Sequence, residues 1–108
     1  MKADTKPGFY VLYGENPTSA FRRVRKHYDV ALVHRDGMGP VLYDGMAVSG
    51  EVETARAAMR AKQEAMKGRL VIVATDNSKL VGGLRMLDAK QVTSQELHDM
   101  LDRMGIAR

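Results

Sequence analysis

A chain of 108 residues suffices for one domain, and its makeup, 44% hydrophobic and 28% charged, is that of a globular protein rather than a disordered or membrane-spanning one. It contains no cysteine, which excludes disulfides, thiolate zinc sites and cysteine nucleophiles. Lys and Arg number 17 against 13 Asp and Glu, and the resulting +4 matters for polyanion binding only where it is concentrated.

Residues 1–8 read as a flexible lead-in to a single domain over 9–108. Lys2, Asp4 and Lys6 interrupt any apolar segment after Met1, so no secretory signal and no membrane association are expected, and the expected location is cytoplasmic. Phe9 to Tyr13 is aromatic and β-branched and stops at Gly14, as a first strand would. Asn16-Pro17 has the form of a helix start, with a side-chain cap followed by a residue that has no amide to lose. Ala20, Phe21, Val24 and Tyr28 then mark one buried face.

Val30 to Val33 and Val41 to Tyr43 are two short strands joined across the turn cluster Asp36 to Pro40, a hairpin. Asp44-Gly45 fits a bulge or a second turn, and residues 46–48 either continue the strand or lead into a helix. Ser49 is the expected cap of a helix over 51–67, with Ala55, Ala58, Met59, Ala65 and Met66 as its core face and Gly68 as its stop. Leu70 to Ala74 is apolar without alternation and predicts a central strand buried on both faces. Asp76 to Lys79 reads as a turn, and residues 80–87, weakened as a helix by Gly82 and Gly83, as an edge strand folding back. The final helix carries a capping-box pair, Thr93 and Glu96, a stripe of Leu97, Met100, Leu101 and Met104, and Gly105 as terminator.

The order β-α-β-β-α-β-(β)-α matches an α+β fold, a two-layer split β-α-β sandwich (ferredoxin-like) with an additional C-terminal helix. A three-layer α/β fold is the rival. It needs the second and third strands to pair less tightly than the Asp36 to Pro40 turn implies.

The densest functional signal is Arg22, Arg23, Arg25 and Lys26, four cations in five positions that suit contact with a phosphate backbone. Arg56, Arg60 and Lys67 form a ridge on the second helix that joins them if both helices share a sheet face, and Arg35 beside an exposed tyrosine suits base stacking. Asp76, Ser78 and Lys79 are the enzyme candidate, because α/β sites gather past the ends of central strands, although any turn uses the same residues. His27, His34 and His98 are too scattered for a metal site, and no phosphate-loop pattern or cofactor motif occurs. The sequence therefore points to a non-enzymatic accessory or regulatory protein with a basic helical face, binding DNA or RNA or a nucleic-acid-associated partner. The alternative is a protein–protein adaptor or homodimer using Leu97, Met100, Leu101 and Met104, and a small enzyme is third.

Overall fold

The computed structural model describes residues 8–37, 39–45, 47–51 and 53–103, with the backbone alone at 47–51 and 101. Its elements in chain order are β1 (Gly8–Tyr13), α1 (Pro17–Val24), β2 (Val30–His34), β3 (Val41–Asp44), β4 (Ala47–Glu51), α2 (Thr54–Met66), β5 (Leu70–Thr75), α3 (Ser78–Met86), β6 (Lys90–Val92) and α4 (Ser94–Arg103). A 3-10 turn, Arg25–His27, follows α1. The sheet order is β4-β3-β2-β5-β1-β6. β2, β5, β1 and β6 run parallel, and β3 and β4 add an antiparallel meander at one edge.

β5 sits at the centre, as its unbroken apolar run requires. Leu70, Ile72 and Ala74 enter one core with Phe21 and Val24 of α1 and Leu97 of α4. Val71 and Val73 enter a second core with Ala57 and Ala61 of α2 and Val81 and Leu84 of α3. β1 and β2 divide in the same way: Leu12, Ala31 and Val33 face the first core, and Val11, Val30 and Leu32 the second. The domain thus has a mixed sheet flanked by helices, β-α-β connections and a C-terminal helix, and β5 splits the β1-α1-β2 unit by lying between its strands.

The two-layer expectation is overturned. A strand that is apolar on both faces must be covered on both. Here α1 and α4 cover one face, and α2 and α3 the other. The tight β2–β3 hairpin is present as expected, with Gly37 at φ +84° in its loop, but it sits at the edge and leaves the parallel centre undisturbed.

Three element assignments also change. Residues 80–86 belong to α3, with Leu87 at its carboxyl cap, because Asn77 caps a helix: its Oδ1 accepts from the amides of Lys79 at 2.9 Å and Leu80 at 3.1 Å. Those two bonds, with Val81 and Leu84 buried, outweigh the helix cost of Gly82 and Gly83, about 1 kcal/mol each. Ser49 lies within β4 rather than capping a helix, since Gly45 at φ +64° turns the chain back for β3 to pair with β4. α2 accordingly starts at Thr54, and its buried face is Ala57, Ala61 and Glu64, with Met59 and Met66 exposed. Gly68, at φ +87°, does end it. Gly8, assigned to the lead-in, pairs with Leu70 as the first residue of β1, and residues 1–7 lie outside the described residues.

Candidate functional site

The α1 segment forms as its sequence dictates. Asn16 Oδ1 accepts from Ser19 N at 3.2 Å, Pro17 occupies the first helical position, and Ala20, Phe21 and Val24 pack inward. Arg22 and Arg23 are then left exposed, while Arg25 and Lys26 fall in the 3-10 turn. The Arg25 guanidinium lies 5.7 Å from the centre of the Tyr43 ring, which Phe21 meets edge-on at 6.5 Å. Arg23 Nη1 lies 3.4 Å from His98 Nε2 on α4. Among the described residues, no carboxylate lies within ion-pair distance of Arg22, Arg23, Arg25 or Lys26.

The cations of α2 are different. Arg56 pairs with Glu53 at 3.9 Å, Arg60 with Asp44 at 2.8 Å, Lys62 with Asp88 at 3.2 Å and Lys67 with Glu64 at 3.0 Å. Because α2 packs on the opposite sheet face, the expected pooling of Arg56, Arg60 and Lys67 with the α1 cations does not occur. Arg35 follows β2, whereas Lys26 precedes it, so the two are about 15 Å apart along the strand. Base stacking beside Arg35 would need a sheet face without helices, and helices pack on both faces. Tyr10 packs against the first core, and Tyr13 is 48% exposed at the end of β1.

The paired charges concentrate where α2 returns into β5. Arg69 Nη1 donates to Glu64 Oε1, and its Nη2 donates to Asp44 Oδ1 at 3.2 Å, while Leu70 N donates to Asp29 Oδ2 at 2.8 Å. Hydrogen bonds from Lys67 and then Arg69 hold the Glu64 carboxyl below its ordinary value of 4.5, against the opposing effect of burial. A depressed carboxyl contributes stability above its unfolded pKa that is lost as pH falls through the folded value. Glu64→Gln is therefore expected to flatten the loss of stability below about pH 4.5, read as urea midpoints at pH 3 to 6. A slope unchanged from wild type would show that this cluster contributes nothing. On the other face of the sheet the Tyr28 hydroxyl is buried without a partner. Burial, aided by Tyr10, raises its phenol well above the ordinary 10.0.

Asp76 to Lys79 lie past the central strand, as expected, but they serve the local structure. Asp76 Oδ1 accepts from Asp36 N at 3.0 Å, and Asn77 Nδ2 donates to Asp36 Oδ1 at 3.0 Å while Asn77 caps α3. Ser78 and Lys79 are exposed on the first turn of α3 with no bond recorded between their side chains, and neither of the two described cavities is lined by them. The buried Thr75 hydroxyl accepts from Asn77 N at 3.0 Å and lies 3.1 Å from His34 Nδ1. This network ties the β2–β3 loop to the β5–α3 connection. Among the described residues, no group of three His, Asp or Glu side chains forms a metal site.

On α4, Leu97 is 1% exposed in the first core and so is not available as a partner surface, while Met100 is half-buried against that core. The Leu101 side chain, Met104 and Gly105 lie outside the described residues. No described helix is long and apolar enough to cross a membrane.

Sequence reasoning missed the residues at the carboxyl end of β1. Gly14, Glu15, Asn16, Ser19 and Arg23 border a cavity of about 160 Å³ that Ser94 closes from α4. The available signal was a polar loop directly after a strand, which points to a site only once that strand is known to lie in a parallel sheet. Comparison with protein-family models, with curated proteins and with solved structures finds no match for this chain.

Proposed function

We propose that this is a non-enzymatic accessory protein that binds the phosphate backbone of DNA or RNA through Arg22, Arg23, Arg25 and Lys26. One contrast carries the reading. Each cation of α2 has a carboxylate within 4 Å, whereas these four, in five consecutive positions, have none among the described residues. Cations without a carboxylate in pairing distance among the described residues, grouped on one short segment, are what a polyanion requires, because each phosphate neutralised releases a condensed counterion. Arg25, held over Tyr43, is already ordered and loses less side-chain freedom on binding.

Such contacts position a backbone without reading its sequence. Binding should therefore be similar across sequences and fall with salt at a log–log slope of magnitude about 2 to 4, for three or four phosphates engaged. Changing all four residues to Gln should remove binding and leave the fold intact. Fluorescence anisotropy with single- and double-stranded probes over increasing salt measures both effects. Absence of binding by the wild-type chain at about 50 mM salt overturns the proposal in favour of a protein–protein adaptor.

A further inference from the structure

The cavity beside β1 lies at the carboxyl ends of parallel strands, the end of an α/β sheet where ligands bind. β1 and β5 are parallel neighbours, yet β1 leads into α1 on one face and β5 into α3 on the other. Their carboxyl ends therefore flank a topological switch point. The cavity opens beside that point on the face that carries α1 and α4, at the carboxyl ends of β1 and β6, and β5 contributes nothing to its lining. Ser19 and Arg23, four residues apart on α1, face Ser94 and His98, four apart on α4, and the Arg23–His98 contact joins the two pairs. Leu12 and Ala20 supply an apolar floor, and Glu15 and Asn16 border the cavity from the β1–α1 loop.

At about 160 Å³ the cavity is smaller than the roughly 300–1,000 Å³ of pockets that enclose whole drug-sized ligands. It has room for one polar group and what is bonded directly to it. The chemistry of the walls selects that group. Arg23, Ser19 and Ser94 all line the cavity, and among the described residues Arg23 has no carboxylate within ion-pair distance. Guanidinium favours planar, multi-oxygen anions, and hydroxyls add donors around them. On the first turn of α1, Pro17 has no amide and the amide of Ser19 is taken by Asn16. Among the described residues Glu15 is the one acid bordering the cavity, and it only accepts hydrogen bonds. It repels a bare anion but receives a hydroxyl carried next to one.

We propose that this cleft binds the phosphate of a sugar phosphate, with Arg23, Ser19 and Ser94 on the phosphate and Glu15 accepting from a sugar hydroxyl. The same chemistry is offered by a free sugar phosphate or mononucleotide and by the phosphorylated end of a nucleic-acid strand. This site is distinct from the backbone surface proposed above, although Arg23 is common to both.

The test is a titration of the isotopically labelled full chain with ribose 5-phosphate and, separately, inorganic phosphate. Ribose 5-phosphate should shift the amide resonances of Gly14, Ser19 and Ser94. Ser19→Asp and Ser94→Asp should each weaken it by at least about tenfold while keeping the fold, because an acid in the first turn suits a helix. An Arg22→Gln, Arg25→Gln, Lys26→Gln triple variant should bind it unchanged, which separates this site from the backbone surface. An oligonucleotide with a 5′-phosphate, compared with its hydroxyl-ended counterpart, identifies the source. A preference that Ser94→Asp abolishes assigns the strand end, and no preference assigns the free sugar phosphate. Shifts confined to residues 25 and 26, undiminished binding by Ser94→Asp, or equal affinity for inorganic phosphate would each overturn the proposal.

Discussion

Leu97→Ala is expected to lower the unfolding free energy by about 2–5 kcal/mol, a large share of the 5–15 kcal/mol typical of a small domain. The side chain is 1% exposed in a cluster with Leu12, Phe21, Ile72 and Val92, so truncation leaves a cavity between α4, α1 and the sheet. α4 cannot move far to fill it. Its start is fixed by a reciprocal capping box, in which Glu96 N donates to Thr93 Oγ1 at 3.1 Å and Thr93 N donates to Glu96 Oε1 at 3.0 Å. Thr93→Ala, which removes one half of that box, should cost nearer 1 kcal/mol. Urea unfolding measures both. A shift of less than about 0.5 kcal/mol for Leu97→Ala would place the residue outside the core. The wild-type midpoint should not depend on protein concentration, since Leu97 is buried within its own chain. A midpoint that rises with concentration would restore a dimer interface.

Local chemistry made much of the fold legible. Asn16, Gly68 and the Thr93–Glu96 pair each engage specific backbone groups where the sequence places them, and the strands flanking the Asp36 to Pro40 segment pair as a hairpin. Layering is a tertiary property, and there the reading failed against a signal it had already extracted. Leu70 to Ala74 demanded cover on both faces, which places the first two helices, α1 and α2, on opposite faces rather than in one layer. The candidate site was legible to the same extent. The four cations of residues 22–26 were plain from their spacing. Which other cations were neutralised depended on Asp44, Glu64 and Asp88 arriving from distant parts of the chain. No pattern in α2 itself announces those partners. The cleft was invisible for the same reason, because Ser94 and Arg23 are 71 positions apart (94 − 23) and meet only through packing.

The segment 80–87 was misread because two adjacent glycines penalise a helix, and its proper test follows from that penalty. Leu84→Ala should cost about 2–5 kcal/mol, since Leu84 is fully buried against the second face of the sheet. That loss alone proves burial and not helicity. Gly82 and Gly83 supply the rest: both are exposed, and a Cβ added at either would meet nothing within 4 Å. In a helix, Gly→Ala at each position should stabilise by about 0.5–1 kcal/mol, and Gly→Val should do less, because a β-branched side chain loses χ1 freedom against the preceding turn. In an edge strand the order reverses, since valine fits a pleated surface better than alanine. Ala above Val above Gly in urea midpoint at both positions is the expected result. Val above Ala at either would return the segment to the sheet, leaving the second face without the helix that buries Val11 and Val73 beside α2.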